Sequence, residues 1–118
     1  MFVTSQGSPH GRLQRALEHG NLLQALAAAH ELGEIAPGDG LALCRLLAAE
    51  KSERFPRAAV RWAARVMLAV PTLELYEAEL LLPALRALTG PGAEEAAGLL
   101  VRLLQRHRVL VNERALLR

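Results

Sequence analysis

Residues 13–32, LQRALEHGNLLQALAAAHEL, contain two apolar segments with helical spacing on either side of His19-Gly20-Asn21. Gly20 can end the first helix in a left-handed backbone conformation, because it has no β-carbon. Asn21 can cap the next helix, because its side-chain oxygen accepts a hydrogen bond from a free backbone amide. The segment therefore predicts two helices that meet at a tight corner.

The whole chain shares the leucine-rich and alanine-rich composition of this corner. Leucine and alanine make up 46 of the 118 residues, whereas aromatic residues account for only 3%. Leucine and alanine favour helix, while the aromatic residues that favour strands are scarce. A chain of this length has room for one hydrophobic core. We therefore predict an all-α fold, which is either a single compact bundle or a short α-solenoid of five to six antiparallel helices.

Turn and cap residues divide the chain into six predicted helices. Asp39 and Thr72 are the expected caps of the third and fifth helices. The leucines at 80–82 and 85 surround most of the fifth helix, which predicts a central, buried position for it. We expect the helices over residues 9–19, 22–32, 40–50, 56–69, 73–88 and 93–107.

The ends of the chain are expected to lie outside the main helical domain. Residues 1–8 have no periodicity and are predicted to form a flexible N-terminal arm. The helical domain then covers residues 9–108, and residues 109–118 form a C-terminal tail or a short helix after Asn112.

Other features of the sequence favour a cytoplasmic protein that is not attached to a membrane. No apolar run approaches the roughly 20 residues needed to cross a bilayer. The first residues lack the basic and apolar parts of a secretory signal. The single cysteine, Cys44, cannot form an internal disulfide, and we expect it to be buried and inert.

Residues 16–29, ALEHGNLLQALAAA, resemble the inner corner of a tetratricopeptide-type helical pair. There a small residue ends one helix, a glycine turns the chain, and an alanine lets the second helix lie close. The tryptophan, tyrosine and closing proline of that motif are absent. Residues 57–62, RAAVRW, are similar to small helical proteins of unassigned function from GC-rich bacterial genomes. Neither resemblance implies an activity.

Charge is arranged in blocks along the chain. Residues 51–70 carry a net charge of +4 and residues 71–100 carry −4, although the whole chain carries only +2. At the spacing of an α-helix, residues three or four apart lie on one face. The fourth predicted helix, extended back by two residues, would therefore carry an arginine stripe that consists of Arg54, Arg57, Arg61 and Arg65.

Two interpretations of the arginine stripe remain open. Its side chains could pair with acidic residues of the fifth helix, such as Glu77 or Glu79, or simply be solvated. Alternatively, the stripe could receive phosphates or an acidic partner helix. Because Trp62 lies beside the stripe, we take the four arginines and Trp62 as the candidate partner-binding residues.

The sequence contains no recognisable catalytic or metal-binding motif. The histidines at 10, 19, 30 and 107 do not have the spacing of metal ligands. The glutamates at 74, 77, 79, 94 and 95 lie near the starts of predicted helices, where the helix dipole accounts for them. We therefore predict no enzyme activity, no cofactor and no metal site.

The leading functional hypothesis is a non-catalytic helical module for protein–protein interaction. Its candidate partners include a second copy of the chain, in a homodimer. The alternative is electrostatic binding of nucleic acid or an acidic partner through the arginine stripe. Nucleic acid is the less favoured ligand, because aromatic residues for base stacking are few and the acidic block would repel phosphates.

Overall fold

The structure, a computed structural model, describes residues 8–117 of the chain. These residues form no strand, which confirms the all-α prediction. Residues 1–7 of the predicted N-terminal arm lie outside the described range, and Ser8 caps the first helix. The helices are α1 (Pro9–His19), α2 (Leu22–Leu32), α3 (Pro37–Ala49), α4 (Phe55–Ala69), α5 (Leu75–Ala87), α6 (Ala93–Arg106) and α7 (Glu113–Leu116).

The corner between α1 and α2 forms as the sequence predicts. Gly20 adopts a left-handed conformation with φ of 70°, and both helices have the expected ends. The Asn21 side chain accepts a hydrogen bond of 3.1 Å from the amide of Gln24. Local cap chemistry is therefore sufficient to define this hairpin.

The central helix of the bundle is α3, which contacts α1, α2, α4, α6 and α7. The prediction of a central α5 is wrong. That helix contacts mainly α4 and α6, and only part of its surface is covered. Leu81 and Leu85 are buried, but Leu80 is 41% exposed. Leucines around most of the circumference of a helix therefore do not place it at the centre of the bundle. Its position depends on which other helices pack against it.

Two of the predicted helix caps are also wrong. In α3 the helix begins at Pro37, so Asp39 lies in the first turn instead of capping it. In α5 the cap is Glu74, not Thr72, and Glu74 forms a reciprocal capping box with Glu77. Proline favours the first turn of a helix because it lacks an amide hydrogen, which explains the early start of α3.

The C-terminal tail forms the predicted short helix after Asn112, and it is part of the core. Leu116 is fully buried, and α7 contacts α1, α3 and α6. Asn112 donates hydrogen bonds to Gln14 and Glu18 of α1 at 2.8 and 3.0 Å. A solenoid would place the last helix only against its neighbours in sequence. The return of α7 to α1 therefore makes this chain a closed bundle.

Candidate functional site

The arginine stripe lies on the exposed face of α4 and at its N-cap. Phe55, Ala59, Ala63 and Val66 bury the opposite face against the core. The arginines are consequently held at one-turn intervals on a helix whose own orientation is fixed by packing. Arg54 is the N-cap residue, and its amide donates to the Ser52 hydroxyl at 3.2 Å.

A groove of about 1130 Å³ runs beside the stripe, between α4 and α2 and above α3. We call it the arginine groove, because all four arginines line it. Its floor is apolar and consists of side chains that are buried or half-buried against the core. These floor residues include Leu26, Ala29, Leu43, Leu47 and Ala58. The groove therefore combines an apolar floor with a cationic rim.

One arginine of the stripe already has an acidic partner. Arg65 donates to Glu34, in the loop between α2 and α3, at 2.9 Å. Both side chains remain at least half exposed, so this pair contributes little to stability. No arginine of the stripe pairs with Glu77 or Glu79 of α5 within residues 8–117, so solvation is the part of that interpretation that fits the exposed arginines.

The other three arginines make no side-chain ion pair or hydrogen bond within residues 8–117. They are Arg54, Arg57 and Arg61, and all are exposed. Glu34 and Glu53 are the acidic residues that line the groove beside them. The rim therefore keeps a positive excess that is directed to solvent.

Trp62 is a structural residue of the groove floor. It is only 5% exposed, and its indole nitrogen donates to the carbonyl oxygen of Pro37 at 2.8 Å. Gly40 makes room for the ring, since a β-carbon there would lie 2.7 Å from Trp62 Cδ1. Trp62 therefore holds the start of α3 against α4 and offers little surface to a partner, unlike Leu68 nearby, which is 86% exposed.

A second polar cluster joins the start of α5 to the end of α6. His107 Nε2 lies 2.8 Å from Glu77 Oε1, and His107 Nδ1 lies 2.7 Å from Thr72 Oγ1. The side chains of Glu77 and His107 are only 3% and 7% exposed. Glu77 therefore does more than complement a helix dipole, which was its sequence-based interpretation.

Glu77 is held as a carboxylate by its surroundings. The hydrogen bond from the Glu74 amide does most to lower the pKa of Glu77. A hydrogen bond and charge interaction with His107 and the charge of Arg106 lower it further, while burial opposes them. Arg106 lies 3.7 Å from the Glu77 carboxylate and also donates to the Tyr76 hydroxyl at 2.9 Å.

Sequence reasoning had one usable signal for this cluster. A glutamate three residues after a cap residue is typical of a capping box, which the pair Glu74 and Glu77 forms. No sequence signal points to His107, because α5 and α6 bring it to Glu77 from 30 residues away.

Within residues 8–117 no group of three histidine, cysteine, aspartate or glutamate side chains could hold a metal ion. No helix in the described part of the chain has the length and apolar character needed to cross a bilayer. No family model, curated protein or solved structure matches this chain. The resemblance of residues 16–29 to a tetratricopeptide corner therefore remains a prediction.

Proposed function

We propose that this protein is a non-catalytic docking module, and that the arginine groove binds an acidic amphipathic helix of a partner protein. The proposal depends on one observation above all. Three exposed arginines, which make no side-chain ion pair or hydrogen bond with the described residues 8–117, line a groove whose floor is apolar. A ligand that satisfies both features needs carboxylates on one side and apolar side chains on the adjacent face.

The spacing of the stripe fits a helical ligand. Arg54 and Arg65 are separated by three helical turns, or roughly 16 Å along the axis of α4. Carboxylates placed once per turn on a partner helix repeat at the same interval, so each could meet one arginine. Burial of leucine side chains on the floor would supply the larger part of the binding free energy.

The Arg65–Glu34 pair illustrates the chemistry of the rim. A carboxylate from outside α4 already binds the last arginine of the stripe at 2.9 Å. Because both side chains are largely exposed, a partner carboxylate could replace Glu34 at small cost. The remaining arginines would bind further carboxylates in the same way.

Nucleic acid fits the groove less well. Trp62, the tryptophan of the groove, is buried and is not available for base stacking. Glu34 and Glu53 would repel a phosphate backbone, and the apolar floor would have no matching surface on a duplex.

The test uses a fluorescein-labelled peptide of about 16 residues, with leucines and glutamates repeated at one-turn intervals on adjacent faces. A peptide of the same composition in scrambled order is the ligand control. We expect the ordered peptide to bind at least about tenfold more tightly by fluorescence anisotropy, and more weakly as salt rises. Equal affinity for the two peptides would contradict the proposal.

Two double variants with the same change in net charge distinguish binding in the arginine groove from a general effect of charge on peptide affinity. Arg57→Glu with Arg61→Glu should reduce peptide affinity at least about tenfold. Arg15→Glu with Arg102→Glu changes the net charge equally, on exposed faces of α1 and α6, and should leave affinity within about twofold. Equal losses in both double variants would show that only net charge matters. Tighter binding of duplex DNA than of the ordered peptide would favour nucleic acid instead.

The homodimer remains a competing occupant of the groove. Light scattering over a wide concentration range measures it directly. A dimer that is lost in the Arg57→Glu, Arg61→Glu variant would assign the groove to a second copy of this chain and overturn the acidic-helix proposal.

A further inference from the structure

The cluster at the start of α5 has the order of a hydroxyl, an imidazole and a carboxylate. We propose that Thr72 is a nucleophilic hydroxyl, activated by His107 and Glu77, that accepts an acyl group from small activated esters and thioesters. This site lies where the start of α5 meets the end of α6, apart from the arginine groove. Its acylation is stoichiometric, with no turnover, so it adds to the proposed docking role. The argument starts from the positions of the protons.

Glu77 fixes the tautomer of His107. An ionised carboxylate only accepts hydrogen bonds, so the proton of the 2.8 Å contact belongs to His107 Nε2. In the neutral ring, Nδ1 then carries a lone pair. In that neutral ring, Thr72 Oγ1, which lies 2.7 Å from Nδ1, is the group that donates the hydrogen to the lone pair. His107 is therefore oriented as a general base toward Thr72.

General-base activation of a hydroxyl requires a base that is shielded from water and a hydroxyl that a reagent can reach, and the three groups differ in burial accordingly. The base and its orienting carboxylate are 7% and 3% exposed, so water competes little for their hydrogen bonds. Thr72 is exposed and can be reached by a reagent from solvent. The negative charge of Glu77 also stabilises the imidazolium that forms when His107 accepts a proton.

The acyl transfer is balanced with p-nitrophenyl acetate as the donor. The hydroxyl proton of Thr72 moves to His107 Nδ1 while Oγ1 forms a bond to the carbonyl carbon. The bond to p-nitrophenoxide then breaks, and that leaving group takes the electron pair and the proton from Nδ1. The products are acetyl-Thr72 and p-nitrophenol, and His107 is neutral again. A small and reactive donor suits this site, because Thr72 lies on the open surface.

Thr89 is an internal control. It is also exposed, but its hydroxyl donates to the carbonyl oxygen of Arg86 at 2.8 Å and has no imidazole partner. After reaction with p-nitrophenyl acetate, peptide mapping by mass spectrometry gives the acetylation rate of each threonine. We expect Thr72 to be acetylated at least about tenfold faster than Thr89. Equal rates in the folded protein would overturn the proposal.

Variants test whether His107 supplies the activation. His107→Gln can still donate to Glu77 but cannot accept the hydroxyl proton, so labelling of Thr72 should fall to the rate of Thr89. Undiminished labelling of Thr72 in this variant would refute the role of His107. Thr72→Ser keeps the hydroxyl and should keep fast labelling at residue 72, which provides the test should His107→Gln fail to fold. Loss of labelling in a folded Thr72→Ser protein would count against the proposal.

Discussion

The backbone of Gly38 lies directly against the carbonyl group of Leu110. A β-carbon at residue 38 would stand 1.9 Å from the Leu110 oxygen and 3.0 Å from its carbonyl carbon. The tail that leads to α7 therefore crosses the first turn of α3 at a distance that only glycine permits. This crossing joins the C-terminal tail to the central helix of the bundle.

Gly38→Ala should destabilise the protein strongly. The new methyl group would meet backbone atoms that cannot rotate away, so α3 or the tail must move. We expect the free energy of unfolding to fall by about 3 kcal/mol, at the upper end of the usual range for overpacking. Urea denaturation measures this change.

Gly98→Ala is the matched control for that substitution. A β-carbon on Gly98 would approach only the flexible end of Arg102, at 3.1 Å. Since alanine favours the helix interior by about 1 kcal/mol over glycine, this variant should be neutral or more stable. If both variants lost the same free energy, the close crossing of the tail would not be the cause.

Asn112→Ala should cost more stability than Asn21→Ala, although both asparagines cap helices. Each side chain accepts a hydrogen bond from a backbone amide, and loss of such a cap costs about 1 kcal/mol. Asn112 also donates to Gln14 and Glu18 of α1. We expect a loss of about 2 kcal/mol for Asn112→Ala by urea denaturation. A smaller loss than for Asn21→Ala would show that the contact with α1 is unimportant.

The helices that carry local end signals could be predicted from the sequence. Gly20, Asn21 and Asn112 define their helix ends through their own side chains or backbone freedom. The start of α3 was missed because Ala36 provides no side-chain cap and Pro37 sets the boundary instead. The place of each helix in the bundle could not be predicted, because it depends on contacts between distant segments.

The candidate site could likewise be predicted only in part from the sequence. Helical spacing alone places Arg57, Arg61 and Arg65 on one face, and the structure has them there. The groove could not be predicted, because its shape depends on where α2 lies relative to α4, and no local sequence pattern indicates that position. The pairing of Glu77 with His107 is likewise a product of tertiary packing between α5 and α6.

Glu77 should make stability depend on pH in the acidic range. Its pKa in the folded protein lies below the ordinary value of 4.5, so folding favours the ionised form. The stabilisation is complete above about pH 4.5 and is lost as the pH falls through the folded pKa. Thermal melting between neutral pH and pH 3 should therefore show a loss of stability on acidification.

Glu77→Gln should flatten this pH dependence and lower the free energy of unfolding at neutral pH by about 1–3 kcal/mol. Glu79→Gln is the control, since Glu79 is exposed on the same helix and makes no side-chain hydrogen bond within the described residues. The control should keep the pH profile of the unchanged protein. An unaltered profile in Glu77→Gln would assign the acid sensitivity to other carboxyl groups.

Cys44 should be unreactive until the protein unfolds. The residue is 3% exposed, and burial raises the pKa of its thiol to about 12. Because the thiolate is the reactive form, iodoacetamide at neutral pH should alkylate Cys44 many-fold more slowly in buffer than in denaturing urea. Cys44 is the single cysteine, so the mass of the whole protein reports its modification directly. Equal rates in buffer and urea would mean that the Cys44 thiol is accessible under native conditions, contrary to its burial in the α3 core.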